Sequence, residues 1–242
     1  MAVLEAPAKL TLSLRVTGVR HDGYHLIDAE MVSLALADTL GIEEAPSSSI
    51  RVDGPFADGV PTDRTNLVMR ALEMTGRTAH VRITKNVPNG GGLGGGSSDA
   101  AAVLRWAGLE DAVAASRLGA DIPFCLVGGR ARVTGIGEIV QPLPFEPRDI
   151  TLVVPPLHVS TPEVYAQWDA MGGPHHPSGN DLTDAALAVE PQLVVWRDRI
   201  ERAAGTAPVL AGSGATWFLH GHHPGIERAL DGAVVVTTNT RP

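Results

Sequence analysis

The stretch Val87-Pro88-Asn89-Gly90-Gly91-Gly92-Leu93-Gly94-Gly95-Gly96-Ser97-Ser98-Asp99-Ala100-Ala101-Ala102 has the composition of an anion site. Six glycines fall within residues 90–96, followed by two hydroxyls and an alanine run. Glycine tolerates positive φ and lets backbone amides approach a ligand closely. The alanines favour helix, so the loop is expected to deliver the chain into a helix N-terminus. Unpaired N–H groups and the macrodipole there favour negative charge, which points to phosphate. Two kinds of charged residue could act on a phosphate held there. Of the chain's 19 Lys and Arg residues, only Lys9 and Lys85 are lysines and the other 17 are arginines. Lysine is a compact point charge where arginine is a planar fork, and both lysines stand beside motifs. Asp121, in Gly119-Ala120-Asp121-Ile122-Pro123-Phe124, is a carboxylate whose apolar neighbours predict burial.

Three phosphate-binding patterns compete for the loop. A P-loop spacing runs from Gly91 to Gly96, but Ser97 stands where its lysine belongs. Gly90, Gly92 and Gly95 meet the dinucleotide fingerprint formally, although Pro88 and Asn89 separate them from the preceding strand pattern. The third pattern, Pro-x-x-x-Gly-Leu-Gly-x-x-Ser-Ser, runs from Pro88 to Ser98 without a gap. It resembles the signature of the galactokinase, homoserine kinase, mevalonate kinase and phosphomevalonate kinase (GHMP) superfamily. A flexible glycine linker would need neither Leu93 nor the abrupt helix.

The elements around these residues can be read from periodicity. Leu10, Leu12, Leu14 and Val16 alternate with polar residues as in a half-buried strand, with Lys9 at its entrance. Arg20-His21-Asp22-Gly23-Tyr24-His25 reads as a polar turn, and Ile27 to Leu40 as a strand. Apolar spacing predicts a helix from Asn66 to Thr75, with Gly76 ending it. Ala79, Val81 and Ile83 form a strand that Lys85 leaves to enter the glycine loop. Helices are expected from about Ser98 to Trp106 and from Asp111 to Leu118, and Gly135-Ile136-Gly137-Glu138 as a turn between strands. The proline-rich stretch 142–148 is the candidate boundary between domains 1–148 and 149–242. Beyond it, Ile150 to Val154 is a strand and Thr161 an N-cap with Pro162 at the first helical position. Helices are expected near Asp181–Val189, Pro191–Ala203 and Ile226–Leu230. A broken strand is expected over Val209–Leu219 and a last strand over Ala233–Thr237.

The chain has 242 residues, enough to bury a substantial core, and 44% hydrophobic against 19% charged residues indicates a globular protein. One cysteine, Cys125, excludes an internal disulfide. The N-terminus lacks a basic region followed by a long apolar run, and no later run could span a bilayer, so a soluble cytoplasmic protein is expected. A net charge of −8 argues against nucleic acid as a general partner. His175, His176, His220, His222 and His223 lie in loop settings without a partnering cysteine or carboxylate motif and are expected to be solvated.

Taken in order, these stretches resemble the diphosphocytidyl-methylerythritol kinase family of the non-mevalonate isoprenoid pathway. The matching pieces are Pro7-Ala8-Lys9-Leu10, Asp22-Gly23-Tyr24-His25, Asn66-Leu67, Pro88 to Ser98, Leu118 to Phe124, Gly135 to Glu138, Ser160-Thr161-Pro162, Asn180-Asp181-Leu182 and Gly212-Ser213-Gly214. The resemblance implies an α+β fold: a ribosomal protein S5 domain 2-like N-terminal domain joined to a ferredoxin-like C-terminal domain. It implies ATP and Mg²⁺ as cofactors, phosphorylation of a tertiary hydroxyl on a cytidine diphosphate substrate, and no nucleic-acid or membrane partner. Lys9 and Asp121 would be the catalytic pair. Pro88, Asn89, Gly90, Gly91, Gly92, Leu93, Gly94, Gly95, Gly96, Ser97 and Ser98 would bind the ATP phosphates, with Ser98 a candidate Mg²⁺ ligand. Asn66 and Lys85 would lie near the nucleoside of ATP. Tyr24 and His25 would hold the cytosine, with Thr11 and Thr161 also on the substrate side. The family carries an asparagine where this chain has Thr11, and a longer segment before Gly119. Another GHMP kinase with a different alcohol acceptor, or an inactive nucleotide-binding homologue, are the alternative readings. An aspartate of ordinary pKa, about 3.9, is a poor base toward an alcohol, so Asp121 is expected to contribute chiefly by orientation.

Overall fold

A computed structural model describes residues 1–242. Two long strands, β1 (Ala2–Val19) and β2 (His25–Glu44), form an antiparallel hairpin over the turn at residues 20–24. His25 therefore begins a strand and is not part of the turn, and Lys9 lies inside β1, not at its entrance. The register slips between Pro7, paired with Ala37, and Lys9, paired with Ser33. Such an irregularity re-aims the side chain next to it, and here that side chain is Lys9.

The opposite edge of β2 is shared out along its length. It pairs with β4 (Ala79–Thr84) at residues 39–44 and with β5 (Arg130–Gly135) at residues 27–32. Between them it meets β10 (Val234–Arg241) at Ser33 and Leu34. β3 (Ser49–Asp53) extends the sheet parallel to β4, and β6 (Ile139–Leu143) pairs with β5. The strands after residue 148 pair chiefly with one another. β7 (Asp149–Val154) lies between β10 and β9 (Trp217–His220), and the short β8 (Val209–Leu210) closes that edge. β10 runs four residues beyond the predicted strand, and the last two, Thr240 and Arg241, make the junction with β2.

Helices cover the sheet: α1 (Leu67–Thr75), α2 (Gly95–Trp106), α3 (Ala112–Ser116) and α4 (Ile122–Val127) before residue 148. After it come α5 (Thr161–Ala170), α6 (Thr183–Val189) and α7 (Gln192–Ala204), then a 3-10 turn at Ile226–Ala229. α1 starts one residue later than expected, because Asn66 caps it by accepting from the Val68 amide at 2.8 Å; Gly76 closes it with φ +64° as its sequence predicts. α2 begins three residues earlier than expected, because Gly94 turns the chain at φ +68° and helps itself to the N-cap position. The cap of α5 is Ser160, not Thr161, whose hydroxyl is 2.8 Å from that of Ser213 instead. No helix is long and apolar enough to cross a membrane.

Candidate active site

The irregularity in β1 and the glycine loop meet directly. The Lys9 amide donates to the Leu93 carbonyl at 2.9 Å, and the Ser98 hydroxyl donates to the Pro7 carbonyl at 2.5 Å. Leu93 is buried against Ala8, Leu10, Val32 and Val87, so one side chain anchors an otherwise bare loop in the core. A β-carbon on Gly92 would meet the Gly214 carbonyl at 2.9 Å, which ties the loop to the second glycine turn, Gly212-Ser213-Gly214. That turn is held by Asn180, whose amide donates to the Leu210 and Gly212 carbonyls at 2.8 and 2.7 Å. Gly94 offers α2 no side-chain cap, and no acidic residue lies in its first turn. The first amides of a helix have no intrahelical partner, so this N-terminus suits an anion.

Beside the loop is a cavity of about 630 Å³. Lys9, Thr11 and Asp121 lie on its wall together with Gly92 and Ser97 of the loop. The Lys9 ammonium stands 3.3 Å from Asp121 Oδ2 and 3.4 Å from the Thr11 hydroxyl. Its side chain is 8% exposed, whereas that of Asp121 is 35% exposed, more open than its apolar neighbours predict. Asp121 occupies the N-cap position of α4 yet makes no capping hydrogen bond. An aspartate there ordinarily accepts from helix amides; this carboxylate faces Lys9 and the cavity. The turn between β5 and β6 backs it closely, since a β-carbon on Gly137 would stand 2.5 Å from the Ala120 carbonyl.

Tyr24, His25 and Thr161 line the same cavity. Tyr24 is 60% exposed, while the His25 side chain is 11% exposed. The His25 ring lies 4.6 Å from that of Tyr165 at 33°, with the Trp168 ring edge-on at 5.9 Å. Burial, then the charge of Asp121, pushes the Tyr165 hydroxyl up to about 12, so it stays protonated. Thr161, Tyr165 and Asp169 recur every four residues on α5 and form one wall of the cavity. Tyr165 and Asp169 were missed in the sequence, although their helical spacing from Thr161 is the signal that finds them.

Four expected ligand contacts are placed elsewhere. Lys85 is a fully buried ion pair with Asp38, and its Nζ also donates to Asp99 Oδ2 at 2.8 Å. Burial opposes its charge, but Asp99 and Asp38 outweigh burial and hold its pKa above the usual lysine value. One Asp38 oxygen also accepts from the Asn86 and Val87 amides at 2.5 and 2.8 Å, fixing the approach to the glycine loop. Lys85 is thus a brace behind the cradle, with no exposed face for a nucleoside. Asn66 spends its side chain on the cap of α1 and on the Pro61 carbonyl. Asn89 donates to the Phe56 carbonyl. Ser98 is fully buried with its hydroxyl donating to Pro7, so it presents no open face toward the cavity in this structure.

One other polar cluster is structural. Asp181 is fully buried. Burial raises its pKa, but hydrogen bonds from His175, Arg15 and the His176 and Val16 amides prevail and lower it. His175 is therefore partnered by a carboxylate rather than simply solvated. Cys125 is buried, and burial pushes its thiol up to about 12.

The sequence profile of the GHMP kinases N terminal domain matches residues 66–129. The 4-diphosphocytidyl-2-C-methyl-D-erythritol kinase of Paracoccus denitrificans is 40% identical over 237 aligned residues, covering 88% of this chain and 84% of that protein. A crystal structure of 4-(cytidine 5'-diphospho)-2C-methyl-D-erythritol kinase superimposes over the full length of both chains with a TM-score of 0.80 and 32% identity. The Methanococcus jannaschii mevalonate kinase, at 13% identity and TM-score 0.68, shares the fold over 100% of this chain and 98% of its own. This chain accordingly belongs to the 4-diphosphocytidyl-2-C-methyl-D-erythritol kinase family and is an ATP-dependent GHMP kinase of α+β fold.

Proposed function

We propose that the chain transfers the γ-phosphoryl group of ATP to the 2-hydroxyl of 4-diphosphocytidyl-2-C-methyl-D-erythritol in the cavity between the glycine loop and α5. The observation that carries this reading is the Lys9–Asp121 pair, 3.3 Å apart on a cavity wall that adjoins Gly92 and Ser97. Phosphoryl transfer depends mainly on positioning and charge neutralisation. The open amides at the start of α2 bind phosphate oxygens, and Lys9 neutralises charge between the acceptor and the γ-phosphate. Asp121 orients the acceptor hydroxyl and takes its proton as the new P–O bond forms and ADP departs. Tyr24 and Tyr165 offer flat faces to the cytosine, His25 a hydrogen-bonding edge, and Thr11 and Thr161 flank the rest of the substrate.

Mg²⁺ is proposed as a companion of the triphosphate. It supplies charge neutralisation on the phosphate oxygens, and it ordinarily takes few protein ligands. No group of three or more His, Cys, Asp or Glu residues could cage it, so positioning and proton transfer fall to Lys9, Asp121 and the amides of α2. We place the domain boundary at residue 148, so that 1–148 carries the loop and the catalytic pair and 149–242 supplies α5 and the Gly212 turn. Incubation with ATP, Mg²⁺ and a panel of alcohols, with ADP measured, tests the assignment. ADP release confined to the cytidylyl substrate supports it; release with a different alcohol moves the acceptor, and nucleotide binding without release removes the kinase step. Thr11, 3.4 Å from Lys9, is the residue through which a different acceptor would be accommodated.

A further inference from the structure

Asp169 has no part in the phosphoryl transfer just described, yet it lines the same cavity. Its Oδ1 lies 2.9 Å from His25 Nε2, and this is the ring's one hydrogen bond. Tyr165 and Trp168 hold the plane of the imidazole, so Asp169 holds its edge. An ionised carboxylate can only accept, which places the proton on Nε2. In the neutral imidazole the other nitrogen, Nδ1, is then a bare acceptor. No protein group occupies it, and the ring faces the cavity.

We propose that Asp169 is a positioning residue that locks His25 in the Nε2-protonated tautomer and thereby makes the cavity selective for cytosine over uracil. The proposal rests on the reading of this cavity as the site of a cytidine diphosphate substrate. The Watson–Crick edge of cytosine presents one donor, the 4-amino group, beside the N3 and O2 acceptors. A bare Nδ1 can pair only with that amine. In the same pose uracil sets its O4 carbonyl against the Nδ1 lone pair, and neither atom carries a proton to share. An asparagine at 169 would relax the choice, because its amide can accept from Nε2–H or donate to a bare Nε2. The second arrangement moves the ring proton to Nδ1, which then welcomes O4.

The test is calorimetric titration of the full chain and its Asp169→Asn variant with CDP and with UDP, alongside ¹⁵N NMR of the His25 ring. Asp169 is 48% exposed, so the substitution leaves the packing intact. The wild-type protein is expected to prefer CDP, with a ring spectrum of one tautomer protonated at Nε2. In Asp169→Asn the CDP-to-UDP affinity ratio is expected to fall by up to about tenfold, the upper scale of one neutral hydrogen bond, and the ring to show both tautomers. Asp169→Glu is expected to recover part of the ratio. A merely structural role would weaken both nucleotides alike and leave the ratio unmoved. An unchanged ratio and an unchanged tautomer in Asp169→Asn, with CDP still preferred by the wild type, overturns the role of Asp169 alone. A wild-type protein that binds neither nucleotide overturns the cytidine reading of the cavity and the proposal with it.

Discussion

A β-carbon placed on Gly94 would stand 2.6 Å from Cγ of Lys9. The glycine that turns the chain into α2 is therefore also the surface on which the catalytic lysine lies. Loop and lysine are a single packed unit, although 85 residues separate them in sequence. The bareness of the loop serves two ends: amides open toward phosphate on one side, and room for the lysine stem on the other.

Gly94→Val is consequently expected to do more than weaken ATP binding. Its φ of +68° suits glycine, and the added side chain must displace Lys9. Both ATP affinity and kcat should fall, kcat by about 10²-fold, the scale of a misplaced reacting group. Gly96→Ala is the control. Its β-carbon would meet only Leu67 at 3.9 Å, and replacing a helical glycine by alanine stabilises by roughly 0.5–1 kcal/mol. Calorimetric ATP titration and steady-state kinetics on both variants decide the matter; a Gly94→Val enzyme with full kcat would show that the lysine does not depend on the loop.

Lys9→Arg is expected to be nearly as damaging as Lys9→Ala. The guanidinium is wider and spreads its charge, and the Lys9 side chain has little free space at 8% exposure. It would have to push aside Asp121, Thr11 or the acceptor. Asp121→Asn, by contrast, should leave substrate binding nearly intact and lower kcat by roughly 10²-fold or more, as for a group acting in the transition state. Steady-state kinetics with ATP and the cytidylyl substrate separates the two. Retention of most of the wild-type kcat in either Lys9→Arg or Asp121→Asn would sink the corresponding role.

For Lys85 the structure replaces the expected place near the nucleoside with a bracing role. An arginine does not fit a slot that is 1% exposed between two carboxylates, and overpacking a buried site costs roughly 1–3 kcal/mol. Lys85→Met should cost more, about 3–5 kcal/mol, because it strands buried carboxylate charge. In a chain of this size about 2–4 °C of Tm is lost per kcal/mol. Thermal unfolding of both variants measures this directly, and wild-type Tm in Lys85→Met would refute the bracing role.

How far the site was legible differs residue by residue. The glycine loop, Lys9 and Asp121 could be found because their chemistry is written in local composition: a glycine run, a rare lysine, a carboxylate beside a proline. The C-terminal end of helix α1 was legible, since Gly76 acts within one turn of its own position, whereas Asn66, expected near the nucleoside, caps the helix. Lys85 was found but misplaced, because what decides its role is Asp38, a buried carboxylate on β2 47 residues away. Asp169 and Tyr165 were passed over for a similar reason. Their partner, His25, is brought to α5 by the fold, and only their helical spacing from Thr161 marks them in the sequence.

The pair of carboxylates around Lys85 makes a pH-dependent prediction. One ammonium cannot neutralise both Asp38 and Asp99, and Asp99 Oδ1 has no hydrogen-bond partner. Burial, which Lys85 opposes and Asp38 reinforces, raises the Asp99 carboxyl from 3.8 to about 7. Between those two values the folded protein holds a proton that the unfolded chain has released. Stability from this group is therefore complete below about pH 3.8 and is lost as the pH rises through about 7. Asp99→Asn removes the titrating group but keeps an oxygen for Lys85 to donate to. Relative to the wild type, the variant is expected to gain stability from pH 5 to about pH 7 and to level off above it. Urea unfolding midpoints of the two proteins across that range provide the measurement. Midpoints that move in parallel would mean that Asp99 stays ionised in the folded protein and that the buried cluster accepts its negative charge.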